Sequence, residues 1–415
     1  MKQVDVLCRF RLIIFLVIVA VFWPVAYLID RRFDLGSFGF YLSPGVLLWK
    51  TKRGLRLLDR VSEKWKGFWR GYGYLSAVVG VALMAFFLFI LISGTVGYFS
   101  LLLGPGGAPA IPLILKERAL ILPGVNIPLV SGLVAFLLVV FVHESSHGLV
   151  FRSLGYTIKS AGLALFIAVP GAFVEQDEEE YEEASAMDRV RPTSAGPMAN
   201  ILLGLLALGL LFALVTPHPG LLVGDVEEGS PASEMGLESD DRITSIGGRE
   251  VFNSSDLVEF LRAANPGEKV VLGMEEKHCV ITLRPHPKNE NVTILPGGME
   301  FEGYGPVRKV QLLNPIDVLI GMPYSVLLGQ PVFNQADYTA SAHWGVVHTL
   351  NWIFALSVLV ALFNLLPLKP LDGGHMIEGV AEKLTSGYTT GIIVKGAGVV
   401  TFGLLALNVV AVIVG

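Results

Sequence analysis

The sequence predicts a polytopic α-helical membrane protein of about six spans, with a membrane-associated β-hairpin and an inserted α+β domain. Composition points to this class, because only 16% of the 415 residues are charged and 53% are hydrophobic. Soluble domains carry about 25% charged residues, and the mean hydropathy of this chain is +0.61. Several apolar stretches are also long enough to cross a bilayer as helices. The formal net charge of −5 gives no reason to expect a nucleic-acid partner.

A basic loop separates the first two predicted spans. The first span, residues 12–29, is interpreted as a retained anchor, because Asp30 and Arg31 follow it instead of a small-residue cleavage site. Lys and Arg residues accumulate between Arg31 and Arg70, which places this loop in the cytoplasm by the positive-inside rule. A solvated loop without topological meaning is the alternative. The other predicted spans are residues 71–104, a stretch from about 128 to 147, and residues 195–215, 344–366 and 392–414.

Three further apolar segments are too short or too interrupted to span. Residues 108–126 and 312–333 contain several prolines, so we expect re-entrant or interfacial pieces there. Residues 161–174 hold Pro170 and Gly171 and predict an extended strand or hairpin at membrane depth, with an interfacial helix as the alternative. Because lipid does not tolerate bare strand edges, this segment must pair with protein, and substrate is one candidate.

Residues 218–310 are charged and punctuated by glycine, as in a soluble domain. Short β-like runs alternate with turns such as Gly229-Ser230-Pro231-Ala232, and a helix is expected at 254–263. This pattern resembles a PDZ domain of the bacterial protease type. The resemblance implies strand addition of an extended peptide, with its carboxylate received by one loop: Gly220, Leu221, Leu222 and Val223. A PDZ-shaped spacer that only blocks access is the alternative.

The strongest chemical signal is the H-E-x-x-H motif His143-Glu144-Ser145-Ser146-His147. On a helix, residues four apart lie on one face, so His143 and His147 can bind the same Zn²⁺. Glu144 between them is a candidate general base that activates water. The pattern also occurs by chance on ordinary helices. Here it lies in an apolar setting, where imidazole and carboxylate groups are costly and indicate function.

A two-histidine zinc site needs a third protein ligand. The fifth predicted span ends before Leu371-Asp372-Gly373, on the same membrane side as His143 if the spans alternate. Asp372 is therefore the predicted third metal ligand, although a helix cap or turn residue is the alternative. Asn364 is predicted to donate a hydrogen bond to the developing oxyanion, with helix–helix contact as its alternative.

Together these motifs resemble the site-2 protease family of intramembrane zinc metalloproteases. The resemblance rests on the H-E-x-x-H motif, on Ala195-Gly196-Pro197-Met198-Ala199-Asn200, and on the segment from Asn364 to Gly374. The segments 122–128 and 170–174 look closer to the eukaryotic-type branch of that family. The resemblance implies one Zn²⁺ per chain, held by His143, His147 and Asp372. It also implies a single-pass membrane-protein substrate that another protease has already cut, and a PDZ domain that filters substrates by size.

The predicted organisation has four parts. Residues 1–120 hold the first two spans, residues 121–217 and 311–415 form the two halves of the protease core, and residues 218–310 are the PDZ-like insert. The active site is expected near the cytoplasmic side and the insert on the outer side. Two other functions stay open, namely a catalytically silent PDZ-bearing scaffold and a membrane metal transporter. A transporter would typically show internal repeats, and none is evident in the sequence.

Overall fold

A computed structural model of the chain describes residues 2–103, 128–167, 169–274, 277–286, 289–297, 299–302, 315–327, 332–333, 338–385 and 387–414. The chain divides into two compact units. The helical unit comprises Met1–Leu206 and Trp352–Gly415, and the β-rich unit comprises Ala207–Asn351. The predicted re-entrant piece at 108–126 and the family-like segment 122–127 lie outside the described residues.

The structure describes twelve α-helices, and the longest of them cover the predicted spans. They are α1 (Lys2–Phe33), α2 (Lys52–Lys64), α3 (Lys66–Leu103), α4 (Leu129–Leu154), α5 (Glu178–Glu183), α6 (Ala186–Leu214), α7 (Pro231–Glu234), α8 (Ser254–Ala263), α9 (Met322–Leu327), α10 (Trp344–Asn364), α11 (Asp372–Leu384) and α12 (Gly387–Val414). A 3₁₀ turn at Leu35–Phe38 and a π-helical turn at Asp317–Gly321 complete the helical elements of the described residues.

Five helices of the described part are long and apolar enough to cross a membrane. Their qualifying segments are Lys66–Gly97, Leu129–Leu154, Ala186–Leu214, Trp344–Asn364 and Gly387–Asn408. They correspond to the second through sixth predicted spans. Helix α1 covers the first predicted span, but the side chains of residues 2–16 lie outside the described ones. The chain is therefore an integral membrane protein, and the first of the six predicted spans stays a prediction.

Two predicted helix boundaries need correction. Helix α6 begins at Ala186, well before the predicted start at Ala195. The helix includes two arginines because Arg191 is paired with Asp188 and Arg189 with Glu382. Helix α4 begins after Pro128 as predicted, but it continues past the H-E-x-x-H motif to Leu154. The motif is therefore in a helix interior, which holds its side chains more rigidly than a helix end.

The predicted segment 312–333 forms the π-helical turn and α9, both too short to cross a bilayer. This agrees with an interfacial or re-entrant piece over the residues that are described. Residues 312–314 and 328–331 lie outside the description.

The strands belong to four antiparallel groups. They are β1 (Phe40–Ser43), β2 (Val46–Lys50), β3 (Ile158–Phe166), β4 (Val169–Gln176), β5 (Val215–Pro217), β6 (Leu221–Val226), β7 (Arg242–Ile246), β8 (Arg249–Glu250), β9 (Lys269–Met274), β10 (His278–Thr282), β11 (Arg284–His286), β12 (Asn289–Ile294), β13 (Met299–Glu302) and β14 (Tyr338–Ala340).

The hairpin predicted at 161–174 is present as β3 and β4. It belongs to a four-stranded sheet of order β1–β2–β3–β4. The hairpin β1–β2 was not predicted, because it lies in a loop that was interpreted only by its charge. Strand β3 pairs on both sides, with β2 and with β4, so its backbone groups are satisfied. Glycine at position 148 lets β4 pack against α4, since a Cβ there would lie 3.2 Å from the Val174 side chain.

The β-rich unit is built around a sheet of order β10–β9–β7–β6–β13, with β8 paired to β7. Helix α8 begins with a reciprocal capping box between Asn253 and Asp256. Fully buried side chains form the core of this unit: Leu221, Val223, Ile243, Ile246, Leu272 and Ile281. The core is apolar throughout this set, as expected for a small sheet domain stabilised by burial.

The loop predicted at residues 220–223 is instead the start of a strand. Gly220 has a φ of +103° and a Cβ there would lie 2.5 Å from the carbonyl oxygen of Ile243, so glycine is required. Leu221, Leu222 and Val223 then form the first half of β6. Leu222 is paired with Arg242 of β7 and with Glu302 of β13, so β6 has no free edge for an added peptide strand at this residue.

Candidate metal centre

Helix α4 brings the two motif histidines onto one face. The ring centroids of His143 and His147 are 4.7 Å apart, as their four-residue spacing predicts. Both side chains are largely buried, with 7% and 19% of their surface exposed. Two imidazole rings therefore converge in a space that water reaches poorly.

Asp372 joins the histidines as the first residue of α11. Its Oδ2 lies 3.1 Å from Nε2 of His143 and 3.4 Å from Nε2 of His147. Burial disfavours the ionised carboxylate, but the nearby imidazoles outweigh this effect and hold the pKa of Asp372 below its ordinary value. The direction of this shift favours the ionised carboxylate, which is the form that metal binding requires.

Two glycines explain how Asp372 reaches this position. Helix α10 ends at Asn364, and the chain must turn back sharply before α11 begins. A Cβ on Gly373 would lie 2.3 Å from the carbonyl oxygen of Leu365, and one on Gly374 would lie 2.5 Å from the backbone nitrogen of Lys369. Only glycine permits this backbone approach. The Gly373-Gly374 pair after Asp372 is therefore a packing requirement that positions the carboxylate.

A third helix, α6, closes the other side of the histidine pair. A Cβ on Gly196 would lie 2.3 Å from Nε2 of His147 and 2.9 Å from Cε1 of His143. The structure thus brings Gly196, which belongs to the Ala195–Asn200 motif, against both rings. Two further residues of α6 contact the rings: the Pro192 carbonyl oxygen lies 2.7 Å from Nδ1 of His147, and the Asn200 amide nitrogen lies 3.0 Å from Nδ1 of His143.

The histidines and Asp372 border a cavity of about 290 Å³. Its lining residues are Val140, His143, Glu144, His147, Val360, Asn364, Pro370 and Asp372. Glu144 and Asn364 therefore share one space with the three candidate ligands. Glu144 is not part of the ligand cluster itself, as expected for a group that acts on water rather than on the metal.

The donor set fits Zn²⁺. The three ligand atoms lie within 4.8 Å of one another. A tetrahedral zinc with bonds of about 2.0–2.1 Å has ligand atoms about 3.3 Å apart, close to both measured Nε2–Oδ2 distances. In addition, Oδ2 of Asp372 is buried and has no hydrogen-bond partner among the described residues. A buried, unpartnered carboxylate oxygen is costly, and a bound cation would satisfy it.

Other residues that the sequence singled out lie elsewhere. His375 follows Asp372 closely in the chain but is outside the cluster, and its Nδ1 lies 3.9 Å from Oε2 of Glu378. His343 accepts a hydrogen bond from the backbone of Gly345, which agrees with a structural role. The residues 220–223 belong to the β-rich unit. The contact of Pro192 with His147 was missed, because nothing in the sequence distinguishes one helical carbonyl from its neighbours.

A family model described as Peptidase family M50 matches residues 131–407. The chain belongs to peptidase family M50. Membership in family M50 confirms the site-2 protease resemblance, and with it the expectations of a metalloprotease and of zinc as its metal. The eukaryotic-type branch stays a prediction.

Several known proteins resemble this M50 chain. An uncharacterized protein of Methanocaldococcus jannaschii is 28% identical over 372 residues, covering 89% of this chain and 86% of that protein. A protein of Brucella suis biovar 1 named as a candidate zinc metalloprotease is 26% identical, and the match covers 63% of this chain and 89% of that protein. A streptococcal protein of the same name, from Streptococcus pyogenes serotype M3, is 27% identical, covering 49% of this chain and 53% of that protein. This chain thus spans about half of the streptococcal relative.

Among solved structures, the PDZ domain of an SdrC-like protein from Listeria monocytogenes matches 21% of this chain and 90% of that domain. The sequence identity is 22% and the TM-score is 0.18. A likeness of this size does not establish a shared fold, so the PDZ assignment of the β-rich unit stays a prediction.

Proposed function

We propose that this protein is an intramembrane zinc endopeptidase that hydrolyses peptide bonds within the transmembrane segments of single-pass membrane proteins. One observation carries the proposal: the ligand cluster and Glu144 border a single cavity, and the motif helix α4 has the length and composition of a membrane span. Ionisable side chains in such helices face interior cavities and mark function. A peptide-bond substrate for this site would itself be a membrane segment.

His143, His147 and Asp372 would hold the metal. When bound, Zn²⁺ supplies a Lewis acid that polarises the scissile carbonyl and makes water more acidic. The Nε2 atoms and Oδ2 that converge here leave the cavity side of the cluster open, where a substrate carbonyl could enter. This supports a catalytic site rather than a closed structural one.

Glu144 acts as the general base in this mechanism. It accepts the proton of the attacking water and later donates it to the departing amine nitrogen, so the carboxylate is regenerated after each turnover. Its position on the cavity wall, one residue after His143, supports this role. Proton transfer of this kind typically contributes a factor of about 10²–10⁴ to the rate.

Asn364 is proposed to stabilise the oxyanion. It is the last residue of α10 and lines the cavity together with Val360. Its amide nitrogen can donate a hydrogen bond to the carbonyl oxygen as negative charge develops there. Loss of one such donor typically costs about 10²–10³ in kcat, so replacing Asn364 with leucine is expected to lower kcat more than it changes KM.

Substrate recognition is proposed to use β4. A transmembrane helix must unwind before one of its carbonyls can be attacked, and its freed backbone groups then need partners. Strand β3 already has partners on both sides, whereas β4 pairs only with β3 among the described strands. An unwound substrate segment could add to β4 as another strand. The sequence analysis expected the segment 161–174 to pair with substrate. Within the hairpin, the strand with the available edge is β4, Val169–Gln176.

The experiment that tests the function uses purified protein in lipid vesicles with a single-pass membrane protein as substrate. Bound zinc and cleavage are measured in the same preparation, and the cut is mapped by mass spectrometry. We expect about one zinc per chain and a cut within the transmembrane segment. Glu144→Gln should abolish cleavage and keep the zinc. Zinc without cleavage would favour the silent scaffold, and zinc uptake into vesicles without cleavage would favour a transporter.

The region 218–310 is proposed to restrict access, so that only substrates already shortened by another protease are cut. Docking of a peptide at residues 220–223 has less support, because Leu221 and Val223 are fully buried in β6. The test compares one substrate with and without its outer domain, using the full chain and a variant lacking 218–310. Loss of discrimination in the shortened variant supports the filter. If the full chain and the shortened variant both bind zinc and discriminate equally between the two substrates, the size-filter hypothesis is ruled out.

The sidedness of the protein is also a proposal. The basic residues between Arg31 and Arg70 favour a cytoplasmic loop there, and alternation of the spans then puts the active site near the cytoplasmic side and residues 218–310 outside. Arg60 and Arg249 are both exposed, so Arg60→Cys and Arg249→Cys can be labelled in a background without Cys8 and Cys279. An impermeant reagent should label Arg249→Cys on intact cells and Arg60→Cys only after lysis. The reverse pattern would invert the assignment.

A further inference from the structure

Three residues of α6 face the two motif histidines at regular spacing. Pro192, Gly196 and Asn200 are four residues apart, so they share one face of the helix. The outer two contact Nδ1 of the histidine rings, Pro192 that of His147 and Asn200 that of His143. Gly196 between them has no side chain, which is what allows the rings to come this close. We name this set the α6 stripe.

The Pro192 contact determines where the proton of His147 lies. A backbone carbonyl oxygen can only accept a hydrogen bond, so Nδ1 of His147 must carry the proton. A neutral imidazole with its proton on Nδ1 has its lone pair on Nε2. Nε2 is the atom directed at Asp372. The backbone of α6 thus prepares His147 for metal binding, and no side-chain substitution at position 192 removes the carbonyl.

The Asn200 contact is different, because an amide side chain can donate or accept. Asn200 is fully buried, its Nδ2 lies 3.0 Å from Nδ1 of His143, and its Oδ1 has no hydrogen-bond partner within the described part of the chain. Metal binding through Nε2 of His143 requires a proton on Nδ1, which then needs an acceptor. A half-turn of the amide exchanges Nδ2 and Oδ1 and places the unpartnered oxygen next to that proton. In this orientation Oδ1 of Asn200 accepts from His143 and Nδ2 takes the unpartnered position, while a bound cation would satisfy Oδ2 of Asp372.

We propose that the α6 stripe holds both ligand histidines in the tautomer protonated at Nδ1, and that Asn200 is the positioning residue for His143. The inference rests on the zinc centre of the proposed function, and it adds a determinant of metal affinity on a helix that contributes no ligand. Asn200 acts through His143 and is not itself catalytic. Partners of this kind typically change metal affinity about 10–100-fold when removed.

Two substitutions separate positioning from packing. Asn200→Leu keeps a similar volume but removes the acceptor, and Asn200→Asp keeps an acceptor but adds a charge. If Asn200 only fills space, leucine should be tolerated better than a buried carboxylate. If Asn200 accepts from Nδ1–H of His143, the aspartate variant should retain zinc and the leucine variant should lose it. The two roles thus predict opposite orders.

The matched control is Asn408→Leu. Asn408 is another helix amide, which donates to Oγ1 of Thr95 and contacts none of the three ligands. The Asn408→Leu substitution therefore removes a side-chain amide hydrogen bond within a predicted span, as Asn200→Leu does, but away from the ligands. We expect its zinc retention to equal that of the unmodified protein.

The readout is the rate at which purified, full-length, zinc-loaded protein loses metal to an excess of chelator, without any substrate. We expect Asn200→Leu to lose zinc about 10–100-fold faster than the unmodified protein and Asn408→Leu. The rate of zinc loss from Asn200→Asp should differ from that of the unmodified protein by less than about 10-fold. If Asn200→Leu retains zinc as well as Asn408→Leu, the proposal is wrong, whatever the aspartate variant does.

A spectroscopic measurement examines the tautomer directly. In protein labelled with ¹⁵N-histidine and loaded with zinc, both ligand histidines should show a protonated Nδ1 and a metal-bound Nε2. A metal-bound Nδ1 on either ring would overturn the proposal. These outcomes are separable from failure of the proposed function: an unmodified protein that binds zinc but cuts nothing contradicts the protease assignment alone. An unmodified protein that binds no zinc contradicts both.

Discussion

The metal centre of the helical unit and the core of the β-rich unit bury different kinds of side chain. The β-rich core consists of aliphatic residues such as Leu221, Ile243 and Ile246, which are stabilised by removal from water. The metal centre buries polar groups of His143, Asn200 and Asp372. Burial of such groups destabilises the folded protein unless each group finds a partner. Chemistry therefore restricts residue identity in the metal centre, whereas packing restricts only the size and shape of side chains in the β-rich core. Substitutions in the two regions should therefore have effects of different kind and size.

The largest effect is expected at Asp372. Asp372→Ala removes one of the three converging donors, and two imidazoles alone hold zinc poorly. We expect the purified variant to contain almost no zinc and to show no cleavage, while it stays folded in detergent. Metal analysis and circular dichroism on one sample check this. A variant that still binds one zinc per chain would exclude Asp372 as a ligand.

Gly196→Ala should have the next largest effect. The added Cβ would lie 2.3 Å from Nε2 of His147 and 2.9 Å from Cε1 of His143, so the rings must move. Displacements of about 1 Å in an active site can cost about 100-fold in rate, and zinc binding should weaken as well.

Gly209→Ala on the same helix is the matched control for Gly196→Ala, because a Cβ at position 209 meets nothing within 4 Å. Alanine also favours helix over glycine, so this control should be neutral or slightly stabilising. Equal activity of the two variants would show that α6 does not approach the rings as described.

The same contrast explains what the sequence could predict. His143, Glu144 and His147 were predictable because their spacing on a helix fixes their relative position, and Asp372 because a two-histidine site requires another ligand. The turn that brings Asp372 to the histidines depends on backbone approaches at Gly373 and Gly374, which spacing alone does not reveal. A helical carbonyl such as that of Pro192 has no sequence signal at all.

Predictions of fold were less complete, for physical reasons that differ by segment. The hairpin β3–β4 was predicted from its length and its Pro170-Gly171 pair, but its neighbours β1 and β2 were hidden in a charged loop. The start of α6 was placed too late because Arg189 and Arg191 look unsuited to a span until their carboxylate partners are known. Residues 220–223 were assigned to a loop through the resemblance to PDZ domains, and glycine at a turn and glycine before a strand look alike in sequence.

In the β-rich unit we expect smaller changes that leave chemistry intact. Ile246 is fully buried in the core of the sheet, so Ile246→Val should cost about 0.5–1.5 kcal/mol of stability. Zinc content should be unchanged, because the residue belongs to a region without ligands of the cluster. The control is Val280→Ala, because Val280 is 58% exposed. This variant should lose less stability than Ile246→Val. Chemical denaturation followed by a probe in this unit gives both values. Zinc loss in the Ile246 variant would contradict the separation of the two regions.

The smallest effect is expected for a partly exposed ion pair in each unit. Lys50 on β2 contacts Glu175 on β4 at 2.8 Å, and Lys277 contacts Asp241 at 2.9 Å. Since the side chain of Glu175 is 44% exposed, solvent screening limits this pair to no more than about 1 kcal/mol. Hydrogen bonds from Lys50 and Ser160 hold the pKa of Glu175 below its ordinary value of 4.5.

The pH dependence of Glu175→Gln follows from that direction. A carboxylate with a lowered pKa stabilises the folded state fully above its unfolded pKa, and this stabilisation is lost as the pH falls through the folded value. Glu175→Gln should therefore destabilise zinc-free protein slightly at pH 7, and the difference should narrow as the pH falls below 4.5. Lys277→Met serves as the comparison in the β-rich unit and should be equally mild, with no effect on cleavage. If Glu175→Gln instead raises KM for a membrane substrate and Lys277→Met does not, Glu175 contacts substrate at the β4 edge, and the contrast between the two units extends from metal binding to recognition.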